Sequence, residues 1–307
     1  MSADLIDEIM RTTGIQRRSL LEKDLLMHRI LRRLTADPQF RDSYLFKGGT
    51  CLTKCHLGYY RFSEDIDFTY RDQGEYEGLS MKEIRRLLSA TIDRLAALFE
   101  NLAEAENLDF RPDKTDRRYI ELGGSNRFCT LKLWYGSTAG ARSFVKAQFN
   151  FVERLCYEPL RVRAGNVMGE SGRGVAALYP EAAQYLEPLE LWSYDPREIM
   201  CEKVRAILTR RGVKARDYID LYMLKEKRGL KIEDEIDCIS NKTIYMLAHY
   251  ERFRRNLEDK KSLLRAGSLF EWGGEQALLL VTIDSPRFYQ FVESLESTLR
   301  KIIASTT

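Results

Sequence analysis

The sequence has few of the side chains that build structural zinc sites and disulfide frameworks. Its 307 residues include only three histidines and six cysteines, and no two cysteines have Cys-x-x-Cys spacing. Structural zinc sites use four such ligands at close spacing, and disulfide frameworks belong mainly to small secreted domains. We therefore expect neither kind of site, and we expect reduced thiols, as in an intracellular, cytoplasmic protein.

Long apolar runs and a large net charge are also missing. No run of about 18 apolar residues occurs, which excludes a typical transmembrane helix, and the N-terminal MSADLIDEIMRTTG has no apolar signal core. Lysine and arginine number 49 against 46 acidic residues, so the formal net charge is +3. Binding of nucleic acid by bulk charge is thereby excluded, and any such binding has to come from local basic patches.

The residues that are present form two kinds of pattern along the chain. Strand-like runs alternate with helical segments in the first part, whereas the pattern is helical from Pro196 onward. The length suits one large or two modest domains. We predict an α/β core over residues 1–190, which includes an N-terminal helical approach, and a helical domain over 191–307.

Several elements of the first part have clear signals. Apolar residues at helical spacing predict a helix over residues 16–36 that ends before Pro38. Ser80 and Glu83 form a capping-box pattern at the start of a long helix over 80–107. The runs YIELGG, FCTLKLWYG and FVKAQFNFVERL then predict three strands, and GGSN predicts a hairpin turn between the first two.

The segment FKGGTCLTKCHLGYYRFSEDIDFTY, residues 46–70, has the strongest functional signal. Asp65 and Asp67 lie two apart on a predicted strand, so both side chains point to one face. Two carboxylates so close repel each other unless a cation lies between them, and oxygen ligands suit Mg²⁺ or Mn²⁺. The alternative is that both are solvent-facing residues of an edge strand.

A glycine-rich turn precedes this strand. Gly48 and Gly49 would let backbone N–H groups approach a polyphosphate, and the short helix predicted over CLTKCHLG, residues 51–58, would favour an anion at its start. A glycine-rich turn, a short helix and a strand with Asp-x-Asp form the arrangement typical of nucleotidyltransferases.

The same segment resembles the signature of the AbiEii/AbiGii toxin family of the nucleotidyltransferase superfamily, the toxins of type IV toxin–antitoxin systems. The matching residues are Lys47, Gly48, Gly49, Thr50, Leu52, Lys54, Arg61, Ser63, Asp65, Asp67 and Phe68. A second match covers PREIMCEKVRAILTRRGVKARDYIDLYML, residues 196–224. The resemblance implies a polymerase-β-like nucleotidyltransferase core with a mixed sheet, followed by a C-terminal helical domain.

The resemblance also implies roles for individual residues. Asp65 and Asp67 would bind the metal and be catalytic, and Lys203 and Asp217 would belong to the same active site. The remaining matches would bind the nucleotide: Lys47, Gly48, Gly49, Thr50, Arg61 and Ser63. The alternative for Lys203 and Asp217 is a salt bridge between two helices.

The implied activity is Mg²⁺- or Mn²⁺-dependent transfer of a nucleoside monophosphate from an NTP to an acceptor. The implied acceptor is RNA such as tRNA, the implied role is that of a toxin, and a cognate antitoxin is a further expected partner. We expect no membrane partner. Two alternatives stay open: a non-catalytic nucleotide-binding or interaction protein on the same fold, and a metal-dependent phosphohydrolase.

One departure from the family pattern concerns the third carboxylate. Polymerase-like nucleotidyltransferases usually place it on a later strand, where this chain has Lys146, Gln148 and Asn150 on one face. Glu121 is a weaker candidate, Asp217 is another, and a site with two carboxylates is the remaining option.

Several further residues have open interpretations. Asp220 is either a third acid or an exposed partner of Lys225. A phosphate on Ser63 would add about two negative charges next to the metal, and we expect it to abolish use of the NTP. Basic residues of the helical part are RNA-binding candidates that could equally form a solvated face: Arg252, Arg254, Arg255 and Lys260, interleaved with Tyr250 and Phe253.

Overall fold

The computed structural model describes residues 2–76, 78–138 and 140–306. These residues form two compact units. The first comprises the residues up to Glu153 together with Pro159–Ser193, and the second comprises Arg154–Glu158 together with the residues from Tyr194 onward.

The first unit contains a seven-stranded mixed sheet. Its strands are β1 Tyr44–Lys47, β2 Asp65–Tyr70, β3 Ile120–Gly123, β4 Phe128–Gly136, β5 Arg142–Asn150, β6 Leu160–Ala164 and β7 Leu189–Ser193. Their order is β3-β4-β5-β2-β1-β7-β6. The pairs β2–β5 and β1–β7 are parallel, and the other pairs are antiparallel. The predicted α/β architecture with a mixed sheet is confirmed.

The helices of the first unit include both long helices that the sequence predicts. They are α1 Ala3–Thr13, α2 Arg18–Ala36, α3 Pro38–Ser43, α4 Gly48–Cys51, α5 Met81–Glu106 and α6 Gly172–Leu178. A π-helical segment, Leu52–His56, continues α4. The capping box of α5 is formed as predicted, since Ser80 Oγ accepts from the Glu83 N–H while the Glu83 carboxylate accepts from the Ser80 N–H.

Aromatic side chains fill one face of the sheet. Phe68 of β2 and Phe149 of β5 stack with ring centroids 5.3 Å apart. Phe40 of α3 and Phe99 of α5 meet this pair edge-on at 5.0 and 5.8 Å. Because residues alternate between the faces of a strand, this packing leaves the other face of β2 and β5 to polar side chains.

Two elements that the sequence does not predict, β6 and α6, precede Pro196, from which the sequence pattern is helical. Residues 164–174 contain the start of α6, which the sequence does not predict. The strand β6 is mostly exposed along its length, so it has no apolar alternation by which to recognise it. The GGSN turn is confirmed: Gly124, Ser125 and Asn126 all adopt positive φ between β3 and β4.

The second unit is helical. Its helices are α7 Pro196–Thr209, α8 Ala215–Arg228, α9 Ile236–His249, α10 Glu251–Ala266 and α11 Ser285–Thr306. Within the described ranges, no helix combines the length and apolar character needed to cross a membrane.

A buried ion pair holds the segment Arg154–Glu158 within the second unit. Glu198 of α7 lies 2.5 Å from Lys242 of α9, and it accepts a hydrogen bond from the Cys156 N–H at 2.8 Å. This arrangement brings Cys156 against α9, where it forms a disulfide with Cys238. Our expectation of reduced thiols is therefore wrong for these two cysteines, because their proximity depends on a contact between distant parts of the sequence.

Candidate active site

The two carboxylates of the Asp-x-Asp motif lie in polar rows that run across the sheet. Asp67 is paired with Lys47 of β1 on one side and with Gln148 of β5 on the other. Asp65 is paired with Lys146 of β5. Since directly paired residues point to the same face, these side chains share the face opposite the aromatic core.

The glycine turn packs directly against this polar face. Gly48 has φ +75°, and a Cβ there would overlap Asp67 Oδ2 and lie 3.2 Å from Asp67 Cβ. A Cβ on Gly49 would overlap the Nη2 atom of Arg61 and lie 3.2 Å from Ser63 Oγ. The two glycines therefore let the backbone approach a carboxylate and a guanidinium group more closely than any side chain would allow.

Thr50 fixes the position of α4 relative to β2. Its side chain is fully buried, and its hydroxyl donates to the main-chain carbonyl of Asp65 at 2.5 Å. The hydroxyl thus has a structural partner. The predicted phosphate-binding role of Thr50 stays a prediction, with the backbone N–H as the group for it.

Arg61 and Ser63 reach the turn without lying on the strand. Strand β2 begins at Asp65, so both residues precede it. Arg61 is 1% exposed and donates from Nη1 to the Phe62 carbonyl at 2.8 Å. Ser63 is also buried. Their roles in nucleotide binding stay predictions.

The Asp65 carboxylate is half-buried and has no hydrogen bond or salt bridge to any side chain that the structure describes. A carboxylate that is partly removed from water is less stable without a compensating charge. Asp67 lies two residues further on the same face, so the pair concentrates negative charge next to the glycine turn. A bound cation would relieve this repulsion.

The donor set fits a hard divalent cation. Asp65 and Asp67 offer carboxylate oxygens, which Mg²⁺ and Mn²⁺ prefer. Over the described ranges of the chain, no group of three or more histidine, cysteine, aspartate or glutamate side chains is arranged to hold a metal. The protein would therefore supply two carboxylates, and phosphate oxygens and water would supply the rest, as is usual for Mg²⁺.

The structure places Glu121, one candidate for a third carboxylate, away from this pair. Glu121 lies in the same row as Asp67 but three strands away, about 14 Å at the usual strand spacing. Its carboxylate lies 2.5 Å from Lys132 Nζ. The positions on β5 that face the two aspartates are Lys146 and Gln148. No carboxylate of β5 completes the site.

A buried polar cluster behind the glycine turn was not assigned a role from the sequence. Lys54 Nζ lies 3.0 Å from Asp24 Oδ2 and 2.5 Å from the Tyr59 hydroxyl. Tyr59 in turn donates to Asp24 at 2.9 Å. Burial raises the pKa of Tyr59 well above its ordinary value, and the Asp24 carboxylate adds to this effect. The cluster ties the π-helical segment to α2.

Glu22 of α2 has a similar anchoring role on the loop between β4 and β5. It is 3% exposed, and it accepts hydrogen bonds from Ser137 Oγ at 2.6 Å and from the Thr138 N–H at 2.9 Å. Glu22, Lys23 and Asp24 are consecutive residues of α2. Only the fold shows that two of these residues hold the segments that flank the polar face.

In the second unit, Lys203 of α7 is buried between two carboxylates of α8. Its Nζ lies 3.1 Å from Asp217 Oδ1 and 2.5 Å from Asp220 Oδ2. Arg210 Nη1 lies 2.7 Å from Asp217 Oδ2. Burial would raise the pKa of Asp217, but the positive charges of Lys203 and Arg210 outweigh burial and lower it.

These contacts correct one expectation and leave another as a prediction. Asp220 is fully buried and pairs with Lys203, so its assignment as an exposed partner of Lys225 was wrong. The salt bridge between helices, which was the alternative for Lys203 and Asp217, is present. Their membership of the active site stays a prediction.

The basic residues of α10 divide into two groups. Arg252, Arg254 and Arg255 are exposed, and the Arg252 guanidinium lies 4.9 Å from the centroid of the Phe253 ring. Lys260 is only 1% exposed. Burial lowers the pKa of Lys260. Lys260 was therefore a wrong candidate for contact with RNA.

Comparison with known proteins adds one finding. The family model described as "Nucleotidyl transferase AbiEii toxin, Type IV TA system" matches residues 29–271. This range contains the glycine turn, the Asp65–Asp67 pair and the Lys203 cluster. A search of curated proteins found no significant match.

Proposed function

We propose, on the premise that the chain belongs to the AbiEii family of nucleotidyl transferase toxins of type IV toxin–antitoxin systems, that it transfers a nucleoside monophosphate from an NTP to RNA. The match over residues 29–271 confirms the family resemblance seen in the sequence. The acceptor class, for which tRNA is the candidate, and the dependence on Mg²⁺ or Mn²⁺ are parts of the proposal.

One observation carries the proposal: the glycine turn, which only glycine can form so close to Asp67, lies against the acidic pair, in which the Asp65 carboxylate has no partner among the described side chains. The backbone N–H groups of the turn would bind the phosphates of the NTP. Lys47, directly opposite Asp67, would add positive charge there. When bound, the divalent cation supplies electrostatic stabilisation of the phosphate oxygens.

The proposed reaction is a displacement at the α-phosphorus. An acceptor hydroxyl oxygen forms the new bond to phosphorus, and the bond from the α-phosphorus to the oxygen that bridges to the β-phosphate breaks. Pyrophosphate leaves with that electron pair, and the hydroxyl proton passes to a base or to water. Asp65 and Asp67 would hold the cation through their negative charge, and the turn would orient the triphosphate for in-line attack.

The proposal extends to organisation and partners. We assign a polymerase-β-like core to residues 1–190 and a helical domain to residues 191–307, with Lys203 and Asp217 as its predicted catalytic residues. We expect a cytoplasmic protein that is neutralised by a cognate antitoxin.

The test is transfer of label from an NTP that is radiolabelled at the α-phosphate. The purified protein, Mg²⁺, each of the four NTPs in turn and total tRNA are incubated, and the RNA is separated on a denaturing gel. We expect labelled RNA with the wild type and none with the Asp65→Ala/Asp67→Ala double variant. Absence of label with every NTP would contradict transfer to tRNA.

A second candidate function follows from the residues that face the acidic pair. Because Lys146 and Gln148 stand on β5 where a carboxylate would complete a polymerase-like site, the chain would bind an NTP without chemistry. Calorimetry with each NTP, combined with a pyrophosphate assay, separates the two candidates. Binding without pyrophosphate release, with any RNA or protein acceptor, would favour the second.

A further inference from the structure

The polar face of the sheet continues beyond the acidic pair into a surface of basic and aromatic side chains. We call Lys132 and Trp134 of β4, together with Arg142, Phe144 and Lys146 of β5, the basic–aromatic strip. Alternation along β4 and β5 and their pairing, Lys132 with Lys146 and Trp134 with Phe144, place these side chains on one face. Lys146 is also paired with Asp65, so the strip begins next to the proposed active site.

Phe144 is surrounded by positive charge. The Nζ atoms of Lys146, Lys132 and Lys23 of α2 lie 5.6, 5.9 and 6.0 Å from the centroid of its ring. Trp134 packs beside the ring at 4.6 Å with a tilt of 56°. Both aromatic side chains are half-buried and therefore still reachable from solvent.

The charges of the strip are only partly neutralised within the protein. Lys132 pairs with Glu121 and Lys23 pairs with Glu64, at 2.5 and 3.3 Å. The Lys146 ammonium has no acidic partner in the described part of the chain. Three ammonium groups around one ring, one of them without a counter-charge, favour an anion at this place.

The far end of the strip repeats the combination. The Arg142 guanidinium lies 5.1 Å from the centroid of Trp134 and pairs with Asp109, and Arg142 is 63% exposed. Lys146 lies four positions after Arg142, which is about 13 Å along a strand. The strip therefore offers two cationic positions with two aromatic rings between them, a combination that suits a strand with phosphates and unstacked bases.

We propose that the basic–aromatic strip binds the single-stranded end of the RNA acceptor, with a base against Phe144 and Trp134 and phosphates at Lys146 and Arg142. This inference rests on the proposed function. A duplex hides the faces of its bases, whereas a single strand exposes them to aromatic side chains. The pairing of Lys146 with Asp65 directs the bound end towards the acidic pair.

The test measures RNA binding without NTP or divalent cation, so it does not depend on catalysis. Fluorescence anisotropy follows a short labelled single-stranded RNA on wild type, Phe144→Leu and Lys146→Ala. Phe144→Leu keeps apolar volume but removes the ring, and we expect Kd to rise about tenfold. Lys146→Ala should raise Kd and reduce the slope of log K against log salt by about 0.7, the value for one phosphate contact on a single strand.

Lys82→Ala is the matched control, because Lys82 is an exposed lysine of α5 outside the strip. We expect it to bind as the wild type does. A blunt duplex of the same sequence should bind the wild type more weakly than the single strand. Unchanged Kd in both strip variants, or equal binding of duplex and single strand, would overturn the inference. If Phe144→Leu fails to fold by circular dichroism, Lys146→Ala decides the outcome alone.

The outcomes separate this inference from the proposed function. If the strip variants bind RNA as tightly as the wild type and the wild type transfers nucleotide to RNA, the results overturn RNA binding by the strip and leave the proposed function intact. If the strip variants lose RNA binding and the wild type labels no RNA with any NTP, the results support RNA binding by the strip and overturn the proposed function. Asp65→Asn should bind RNA at least as tightly as the wild type, since it removes a negative charge next to Lys146 of the strip.

Discussion

Two pairs of carboxylates, one in each unit, are treated in opposite ways by the fold. Asp65 and Asp67 lie two apart on a strand, are half-buried, and include one side chain with no partner among the described residues. Asp217 and Asp220 lie three apart on α8, are buried, and are held between Lys203 and Arg210. Both pairs are close in sequence, so spacing alone does not distinguish them.

The difference teaches where negative charge is available for chemistry. A buried carboxylate is tolerated when cations neutralise it, and such a pair costs much stability when one partner is removed. A half-buried carboxylate without a partner is instead ready to receive a cation or a positively charged group. The first unit therefore has the arrangement of a binding site, and the second has that of a helix-to-helix connection whose catalytic role needs its own test.

The largest expected effect comes from removing charge from the first pair. Asp65→Asn and Asp67→Asn should each lower the rate of nucleotide transfer by about 10²–10³-fold, since each removes a carboxylate that would hold the cation against the reacting phosphates. For Asp65→Asn the free energy of unfolding should change by less than about 1 kcal/mol, because no salt bridge of Asp65 is lost. Transfer assays and urea unfolding measure the two quantities.

Glu121→Gln is the control for these variants. Glu121 belongs to the same polar row but is paired with Lys132 and lies away from the turn. It should transfer nucleotide at nearly the wild-type rate. Asp65→Asn with more than a tenth of the wild-type rate would place the chemistry elsewhere.

For the second pair, Asp217 and Asp220, we expect removal of the neighbouring ammonium group to lower the free energy of unfolding. Lys203→Met leaves Asp217 and Asp220 buried without their shared ammonium group, which should cost about 3–5 kcal/mol of unfolding free energy. The triple variant Lys203→Met/Asp217→Asn/Asp220→Asn should recover part of this loss, because no uncompensated carboxylate remains. The midpoint and slope of urea unfolding give the values.

The opposite result would change the comparison. If Lys203→Met unfolds like the wild type but transfers no nucleotide, Lys203 acts on the substrate and the cluster is catalytic, as the family resemblance implies. A variant that loses both stability and activity is compared with Asp220→Asn, since the family resemblance implies an active-site role for Lys203 and Asp217 and not for Asp220.

Gly48 allows the first region to be tested without touching a charge. Gly48 and Gly58 both have φ +75°, so alanine at either position costs about 1–2 kcal/mol of backbone strain. Only at Gly48 does the new Cβ meet Asp67, since nothing lies within 4 Å at Gly58. A displaced carboxylate should lower transfer by about tenfold or more in Gly48→Ala, whereas Gly58→Ala should keep the wild-type rate. Equal rates would contradict the close approach.

The sequence was sufficient wherever the signal was periodic or local. The helices α2 and α5, the capping box at Ser80 and the hairpin at GGSN follow from spacing and from turn residues. The shared face of Asp65 and Asp67 follows from the alternation of a strand. These features depend on residues within a few positions of each other, which a single sequence displays directly.

What the sequence did not show depends on contacts between distant residues. The hydrogen bond from Thr50 to Asp65, the hold of Glu22 on the β4–β5 loop and the burial of Asp220 beside Lys203 need the packed fold. Strand β6 was missed because its exposed arginines conceal the alternation. The motif predicted which residues gather at the turn, and packing decided which of them have partners.

The smallest expected effect is the acid dependence that the second pair contributes. The pKa of Asp217 is lowered in the folded chain because Lys203 and Arg210 outweigh its burial. Above the ordinary value of 3.8, Asp217 is ionised in both states and its stabilising contribution is complete. Below that value the unfolded chain binds the proton first, so the contribution is lost as the pH falls through the folded pKa, with a slope of at most about 1.4 kcal/mol per pH unit.

Asp217→Asn should therefore lose less stability than the wild type between neutral pH and pH below 3.8, as measured by urea unfolding at each pH. Parallel curves for the two proteins would show that the cations do not hold the carboxylate ionised, and the contrast between the two acidic pairs would then rest on burial alone.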